Sequence, residues 1–555
     1  MTVVARLANS ATRAGAVPAR IRFWKALGAP DAAQASILRR IVRENAGTAY
    51  GRAHGFASIQ SPRDYSERVP LVDYDELAPW VRRVGDGEAG VLTTAPVKFM
   101  EPTGGSSGAL KLVPYTDALL AEFSRATMAW VYDLLASRGA LRGGRAYWAV
   151  SPPGRRPTRT AGGIAIGMEH DSDYFPAPLR ALLERSLAVP GIVARAPDIA
   201  TCRYLTLRAL LAAPDLRLIS VWSPSFLALL ASDLDMTFGD LLRDLEDGEV
   251  RTPLAPDLSA HVKREMPARP ARARALRRRF GSRPPEDLGE IWERLALISC
   301  WADGHAARAL DGVRRRFPHV EIQPKGLLAT EGVVSIPFLG CAHPVAAVTS
   351  HYLEFLPEGE TTRTTGVDRL EYGATYEVVL TTSGGLYRYR LRDLVRVEGF
   401  VRRTPMLSFR GRADRASDLA GEKLTPAFVE QVLSTALGVT GMRSTFAMLV
   451  PSVEPQHRYM LYVDTSREQA ERLAAAVERE LLAAHHYALC RGLGQLEPVC
   501  GVAVRDGERS YELACAERGQ RAGTIKPPAL DPALGWERYF ECRTIDSSTR
   551  SARSE

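Results

Sequence analysis

The chain has 555 residues, enough for roughly three or four ordinary domains or for one large core with appendages. Hydrophobic residues make up 46% of it and charged residues 25%, so a disordered or fibrous protein is excluded, and no apolar run is long enough to cross a membrane. The net charge of +8 is interpreted as an average over a large surface, so we expect neither a nucleic-acid nor a membrane partner.

Helical patterns dominate the first part of the chain. Residues 1–100 are predicted to be mostly helical, and 32–44 is a clearly amphipathic stretch. Short strands are predicted at 91–94 and 97–100, where they lead into a Gly/Ser loop. A long helix is predicted to follow at 117–136.

The middle of the chain mixes strands, helices and Arg-rich segments. A strand is predicted at 147–151 and an Arg- and Gly-rich loop at 154–173. Helices are predicted to alternate with a strand at 216–221 over 178–245. The stretch 264–283 carries eight arginines, but it lacks interleaved aromatic residues and contains two prolines. We therefore favour a solvated helix face or loop there over a nucleic-acid site.

Strand signals strengthen after residue 296. Runs typical of β-strands occur at 371–382, 386–391 and 394–400, and Gly384-Gly385 is predicted to form the first turn. Beyond residue 416 the pattern is that of a small α+β domain. Its predicted elements are a helix at 426–436, strands at 445–450 and 458–463, a helix at 466–487 and a strand at 499–505.

These elements predict four segments. We expect a large N-terminal domain at 1–405, a hinge at 406–416, a small lid domain at 417–545 and a disordered tail at 546–555. The N-terminus has no continuous apolar region, so a secretory signal is not expected.

The cysteine content indicates the cellular compartment, and the lysine content indicates candidate site residues. The seven cysteines are odd in number and include no C-x-x-C, so we expect no disulfide framework or zinc site, and a cytoplasmic location. Only seven of the 72 basic residues are lysines, at 25, 98, 111, 263, 325, 423 and 526. A lysine retained in such an Arg-rich chain points to a need for a compact, flexible ammonium group.

The first chemistry-bearing segment is a Gly/Ser loop that ends in a lysine. It reads Thr103-Gly104-Gly105-Ser106-Ser107-Gly108-Ala109-Leu110-Lys111. Glycines let the backbone approach an anion, serines and loop N–H groups donate to phosphate oxygens, and the lysine adds a charge. The spacing is not that of a Walker A loop, and a flexible surface turn is the alternative.

Two further segments place acids beside predicted strands. Thr330-Glu331 can supply a hydroxyl and a carboxylate to Mg²⁺ and phosphate, although an ordinary solvent-facing turn is the alternative. The run from Tyr387 to Asp393 alternates Tyr and Arg and is expected to put Asp393 at a strand end, where it could accept from ribose hydroxyls. Structural pairing of arginines with acids is the alternative there.

The last two segments carry lysines. Gly411-Arg412-Ala413-Asp414 runs on toward Gly421-Glu422-Lys423, and Lys526 lies in a Gly/Pro loop near the C-terminus. Either lysine by itself is expected to be solvated, so the order of all five segments matters more than any single one.

That order resembles the ANL superfamily of adenylating enzymes and, within it, the auxin-responsive (Gretchen Hagen) family of acyl-acid amido synthetases. The likeness rests on TGGSSGALKLVPYT and YEVVLTTSGGLYRYRLRDLVRVEGF and extends from about residue 30 to 540. It implies an α/β fold. The expected architecture is a large N-terminal adenylating domain, with mixed sheets, a β-barrel subdomain and helices around them, and a small, mobile α+β C-terminal domain.

The resemblance also implies site residues. An ATP-binding set would comprise Thr103, Gly104, Gly105, Ser106, Ser107, Gly108, Lys111, Thr330, Glu331, Asp393 and Arg412. Glu331 would also hold Mg²⁺ and would act in catalysis with Lys423 and Lys526. The acid would lie in an apolar pocket near Trp222, Ser223 and Gly304, although we favour a core aromatic role for Trp222.

Some positions depart from the plant form of the family. Ala329-Thr330-Glu331 and Gly411-Arg412-Ala413-Asp414 look more like the wider superfamily, and we interpret the chain as a bacterial-type member. His305, His343 and His351 are candidate general bases, but each is interpreted as structural.

The expected activity is ATP-dependent adenylation of a small carboxylic acid, followed by acyl transfer to an amine or amino acid. ATP and Mg²⁺ are the expected cofactors, and a monomer or weak homodimer is the expected state. Acid–CoA or acid–carrier-protein ligation is one alternative, and a non-catalytic nucleotide-binding protein is another.

Overall fold

The computed structural model describes residues 2–103, 111–149, 158–167, 177–222, 224–303, 306–357, 360–413, 417–424, 426–444, 446–507, 510–511, 514 and 527–540. They divide into two compact units, and the larger one ends at Ala413. The tail expected at 546–555 lies outside the described residues.

Thirteen of the helices described belong to the larger unit. They are α1 Thr2–Ala26, α2 Pro30–Glu44, α3 Ala49–Ala53, α4 Pro62–Arg68, α5 Tyr74–Gly85, α6 Asp117–Ser137, α7 Gly139–Arg142, α8 Ala177–Ser186, α9 Ile199–Leu211, α10 Pro224–Asp247, α11 Pro256–Glu265, α12 Pro270–Phe280 and α13 Ala306–Arg316. Several begin at a side-chain cap, as when Thr116 accepts from the backbone N–H of Leu119 at the start of α6. The amphipathic and long helices predicted at 32–44 and 117–136 correspond to α2 and α6.

The strands of the larger unit form three sheets and a small hairpin. They are β1 Phe99–Thr103, β2 Lys111–Tyr115, β3 Arg145–Trp148, β4 Thr158–Arg159, β5 Ala165–Ile166, β6 Leu216–Ser220, β7 Leu297–Cys300, β8 Glu321–Pro324, β9 Leu328–Ala329, β10 Gly332–Val333, β11 Ser335–Ile336, β12 Val345–Ala346, β13 Tyr352–Pro357, β14 Thr365–Gly366, β15 Thr375–Thr381, β16 Tyr389–Val401 and β17 Thr404–Arg412. Strand order is β2-β1-β5-β4 in the first sheet and β3-β6-β7-β8 in the second, with β10-β9 as the hairpin.

The largest sheet has seven strands, in the order β11-β12-β17-β16-β15-β13-β14, and all its pairs are antiparallel. Its hydrogen-bonded order runs from β11 at one end to β14 at the other. Apolar residues of this sheet share one hydrophobic core with α2, α5 and α6.

The second sheet is parallel throughout and has its own core. β3, β6, β7 and β8 pair in parallel, and α9, α10 and α12 pack apolar side chains against them. Because the four strands are parallel, their carboxyl ends lie along one edge of the sheet, where ligands bind in open α/β sheets.

The smaller unit contains three helices and three strands among its described residues. They are α14 Pro426–Thr440, β18 Ala447–Ser452, β19 Arg458–Asp464, α15 Arg467–Leu481, α16 His485–Gly492 and β20 Cys500–Val504. β18 pairs antiparallel with β19, which pairs in parallel with β20. The α/β class, with a large N-terminal and a smaller α+β C-terminal part, is therefore confirmed.

Four local predictions were wrong. The helix predicted at 466–487 is two helices, α15 and α16, with residues 482–484 between them. Residues 91–94 are not a strand, because the carbonyls of Gly90 and Val91 accept from the first N–H groups of α3. The two runs predicted at 386–391 and 394–400 form a single strand, β16, which begins only after Arg388 at φ +47°. The loop predicted at 154–173 holds the β4–β5 pair in its described part, 158–167.

The Arg-rich stretch at 264–283 includes α12 and forms a solvated helix face, in line with the interpretation favoured from the sequence. Its arginines on α12 are mostly exposed, and Arg277 and Arg279 pair with nearby glutamates. Across the described part of the chain, the helices lack the length and apolar character that crossing a membrane requires.

Candidate active site

The Gly/Ser loop joins two paired strands. Thr103 is the last residue of β1 and Lys111 the first of β2, and the two are direct partners across the antiparallel ladder. The pairing holds the two ends of the loop close together. Gly104, Gly105, Ser106, Ser107 and Gly108 lie outside the described residues.

Thr330 and Glu331 form the two-residue connection of the β9–β10 hairpin, in which Ala329 pairs with Gly332. The hydroxyl of Tyr115 donates to the main-chain carbonyl of Thr330 at 2.6 Å. Tyr115 is fully buried and ends β2, the strand that Lys111 begins. The hydrogen bond therefore ties the Thr-Glu connection to the same hairpin as the Gly/Ser loop.

Tyr74 lies between the two segments. Its hydroxyl accepts from the N–H of Leu112 at 2.7 Å, and the Lys111 ammonium lies 5.4 Å from the centre of its ring. Burial raises the pKa of Tyr74 and the negative charge of Glu331 raises it further, against a lowering hydrogen bond to Leu112. Lys111 thus lies beside Tyr74, and Glu331 acts on the same residue through its charge.

Glu331 has the character of a cation ligand. The residue is only 8% exposed, and its carboxylate makes no hydrogen bond or ion pair with any residue that the structure describes. A buried carboxylate without a counter-charge is costly unless a ligand neutralises it. No group of three or more metal-ligating side chains occurs in the described ranges. One carboxylate, with the remaining ligands drawn from phosphates and water, fits Mg²⁺.

Asp393 lies within a strand, not at the strand end that was expected. It is buried in β16 and opposes Arg412, the last residue of β17. Its carboxylate is on the same face as Tyr389 and Leu391, which are also buried. The side chain of Arg412 lies outside the described residues.

The arginines around Asp393 are structural, as the alternative for this segment proposed. Arg388 contacts both carboxylate oxygens of Glu354, Arg390 those of Glu377, and Arg392 those of Asp73. These ion pairs fix the strand to neighbouring parts of the larger unit.

In the smaller unit, Lys423 lies in a tight loop. Ser417 and Leu424 exchange two backbone hydrogen bonds, and the buried carboxylate of Glu422 accepts from the N–H groups of Leu419 and Ala420. Lys423 itself has φ +51°, which is uncommon for a residue other than glycine. Lys526, the second catalytic candidate of this unit, lies outside the described residues.

The expected acid pocket maps to the carboxyl edge of the parallel sheet. Trp222 follows β6, and its carbonyl accepts from the N–H of Trp301, which follows β7. Trp222 is 49% exposed, so its interpretation as a core aromatic was wrong. The Trp222 side chain reaches solvent at this edge and does not fill the core. Ser223 and Gly304 lie outside the described residues.

Lys325 was not identified from the sequence as a site residue, and Asp303 was covered only by the segment 300–305 that the family resemblance implied for the pocket. Lys325 follows β8, and its ammonium lies 4.5 Å from the centre of the Trp222 ring. Burial raises the pKa of Asp303, whose carboxylate accepts from the N–H of Phe409 at 2.9 Å. The scarcity of lysines was a signal for Lys325, whereas nothing in the local sequence distinguishes Asp303.

The histidine candidates differ in their outcome. His351 is fully buried and its Nδ1 pairs with the buried carboxylate of Glu122 at 2.9 Å, so its structural interpretation fits. His343 is half-buried, and His305 lies outside the described residues.

Comparisons with known proteins identify the family and the relatives of the chain. Residues 20–322 match the GH3 family N-terminal domain, and residues 345–412 match the GH3 family central domain. A probable indole-3-acetic acid-amido synthetase, GH3.12 of Oryza sativa subsp. japonica, is 28% identical over 446 residues, 70% of each chain. The jasmonoyl–L-amino acid synthetase JAR6 of Nicotiana attenuata is 23% identical over 473 residues, 79% of this chain and 80% of its own.

Solved structures show the same fold. AtGH3.15 acyl acid amido synthetase in complex with 2,4-DB superposes with a TM-score of 0.66 at 18% identity, covering 95% of this chain and 97% of its own. A 2-hydroxyisobutyryl-CoA ligase in complex with 2-HIB-AMP and CoA superposes with a TM-score of 0.51 at 16% identity, covering 92% of this chain and 90% of its own. With more than half of its residues matched by the family's N-terminal domain alone, the chain belongs to the GH3 family.

Proposed function

We propose that this protein is an acyl-acid amido synthetase, which activates a small carboxylic acid with ATP and transfers the acyl group to an amino acid. The observation that carries the proposal is that β2 begins at Lys111, at the end of the Gly/Ser loop, and is tied through Tyr115 to Thr330, beside the buried Glu331. An ammonium and a buried carboxylate at the two ends of one cluster suit a metal–triphosphate. The amido synthetases among its relatives support the choice of amide formation.

The first step activates the acid. A carboxylate oxygen attacks the α-phosphorus of ATP, the bond from that phosphorus to the bridging oxygen breaks, and pyrophosphate leaves. Lys111 and the donors of the loop that it ends would bind the phosphates, Thr330 the α-phosphate region and Asp393 the ribose hydroxyls. Such a site acts by positioning the reactants and by neutralising charge as it develops.

Mg²⁺ is the metal that Glu331 would hold, and when bound it supplies neutralising charge on the phosphate oxygens. The orphaned carboxylate described above is the basis for this assignment.

The second step forms the amide. The nitrogen of an unprotonated amine attacks the acyl carbon, the carbon–oxygen bond to AMP breaks, and the amine loses a proton to solvent. We propose that Lys526 and Lys423 serve these steps from a lid at 417–545, joined through a hinge at 406–416 to a domain at 1–405. Lids of this kind gate chemistry and exclude water.

We further propose a cytoplasmic protein that works as a monomer or weak homodimer. The described cysteines are all free thiols, as in a reducing compartment. The acid would bind near Trp222, Ser223 and Gly304, where the parallel sheet presents its carboxyl edge.

The test is acid-dependent pyrophosphate release from MgATP. A panel of aryl, indolyl and fatty acids is offered with hydroxylamine as a surrogate amine, and hydroxamate is measured beside pyrophosphate. Release with some acid, followed by a conjugate with an amino acid and none with CoA, is the expected result. A thioester with CoA in place of an amide would overturn the second step, and ATP binding without any release would favour a non-catalytic nucleotide-binding protein.

A further inference from the structure

Lys325 sits at the carboxyl edge of the parallel sheet, directly after β8. Its N–H donates to the carbonyl of Cys300 at the end of β7, at 2.9 Å. The next residue, Gly326, packs so closely on Ser335 that an added Cβ would lie 2.0 Å from the Ser335 carbonyl oxygen. The backbone that carries Lys325 is therefore held from both sides.

The ammonium of Lys325 has an aromatic neighbour and no acidic one. It lies 4.5 Å from the centre of the exposed indole of Trp222. Among the residues that the structure describes, no carboxylate pairs with it or forms a hydrogen bond to it. An indole face attracts a cation, but a half-buried ammonium without a counter-ion remains costly, and a neutral side chain would fill the same space.

The groups around Lys325 do not supply the missing negative charge. Cys300, on β7, faces it, and burial raises the pKa of this thiol to about 11, so it is neutral at physiological pH. Arg314, on α13, acts on Cys300 and adds positive charge. Burial lowers the pKa of Lys325 itself to about 7, with Cys300 as the other group that acts on it.

We propose that Lys325, with Trp222, forms a subsite for a second anionic group on the acid substrate, so that the preferred acids are dicarboxylic. This rests on the proposed function. The reacting carboxylate must meet the α-phosphate near Thr330, whereas Lys325 meets the far end of the acid at the sheet edge. The substrate's second carboxylate then becomes the counter-ion that the protein itself lacks.

The test compares matched acids. Pyrophosphate release is measured for α,ω-dicarboxylates of four to ten carbons and for phthalate isomers, each beside its monocarboxylic counterpart. We expect a higher kcat/KM for the diacid of the fitting length. Lys325→Met should lower that value roughly 10- to 100-fold and leave the monoacids nearly unchanged, because only the charged hydrogen bond is lost. Lys325→Arg should restore part of the preference.

The pH dependence gives a second readout. Lys325 loses its charge as the pH rises through about 7, so the KM of the diacid should rise over that range while the KM of the matched monoacid does not. Lys25→Met, which removes an exposed lysine elsewhere, is the control, and thermal unfolding verifies that each variant is folded.

Three results would overturn the subsite: an equal loss for mono- and diacids in Lys325→Met, no loss at all, or a wild-type preference for monoacids. Calorimetric titration of adipate and terephthalate separates this failure from failure of the proposed function. Binding to the wild type but not to Lys325→Met supports the subsite even when no acid releases pyrophosphate, and equal binding to both proteins refutes it.

Discussion

Glu331 and Lys111 illustrate how single residues acquire a role from their surroundings. Lys111 lies beside Tyr74, which the N–H of Leu112 holds in place through a 2.7 Å hydrogen bond, and the negative charge of Glu331 raises the pKa of the same tyrosine. The carboxylate of Glu331 is nearly buried and has no protein counter-charge among the described residues. This position suits a metal ligand better than it suits a structural acid.

Replacing Glu331 by Gln should remove the charge and keep the shape. We expect kcat for pyrophosphate release to fall roughly 10²- to 10³-fold, the loss typical for one preorganised electrostatic contact, and the Mg²⁺ requirement to rise. Steady-state assays over a range of Mg²⁺ concentrations measure both quantities. Glu67→Gln, at an exposed ion pair, is the control. An unchanged Mg²⁺ dependence would show that another residue holds the metal.

At the scale of secondary-structure elements, two buried acids hold the antiparallel sheet to the helices. Glu354 of β13 pairs with Arg388, which also donates to the carbonyls of Ser66 and Val69 beside α4. Glu122 of α6 contacts His351 and Ser383, which flank the sheet's strands. Both networks connect helices to the sheet that contains Asp393.

Glu354→Gln should destabilise the larger unit. The variant leaves the buried Arg388 guanidinium without its counter-charge, and we expect a loss of about 3–5 kcal/mol. Urea unfolding followed by tryptophan fluorescence measures it. Glu321→Gln breaks a more exposed pair with Arg138 and should cost no more than about 1 kcal/mol. Similar losses of unfolding free energy in the two variants would show that the buried pair stabilises the unit no more than the exposed pair does.

Glu122 should make stability depend on acid pH. Burial raises the pKa of its carboxyl, but the hydrogen bond and charge of His351 and the hydrogen bonds from Ser383 outweigh burial, and the pKa is lowered overall. Its contribution is complete above the unfolded pKa of about 4.5 and is lost as the pH falls through the lower folded pKa. Denaturant unfolding from pH 7 to about pH 3 should therefore show a steeper loss of stability for the wild type than for Glu122→Gln. Parallel curves would contradict this.

At the scale of the whole molecule, the chain builds two compact units with separate cores. The larger one carries Lys111, Glu331 and Asp393, and the smaller one carries Lys423 in its tight loop. A lysine brought to the reacting phosphate from a second unit contributes to the transition state more than to ground-state binding.

Lys526→Ala tests that division of roles. We expect kcat for pyrophosphate release to fall by the equivalent of about 2.7–4 kcal/mol, while the dissociation constant for ATP changes little. Rapid-quench measurement of acyl-AMP and equilibrium titration of ATP measure the two effects. Lys263→Met, at a surface pair with Glu249, serves as the control. A large loss of ATP affinity with an unchanged rate would place Lys526 in substrate binding.

The local sequence was enough to predict several helices and strands and to indicate the family from the order of the motifs. Helical periodicity predicted α2 and α6, since one apolar face must pack against a core. Gly384-Gly385 predicted the turn before β16, where Gly385 has φ +97° and an added Cβ on Gly384 would lie 2.6 Å from the Pro114 carbonyl. The order of the five motifs indicated the GH3 family, because each motif is weak alone while their order is specific.

Only the tertiary structure decided which side chains have partners. The three arginines beside Asp393 are paired with acids from distant segments, and the strand expected at 91–94 was lost to contacts with α3. Trp222 is exposed at a sheet edge, and Lys325 meets it from another strand. Burial and charge balance depend on residues far apart along the chain, so periodicity and spacing carry no information about them.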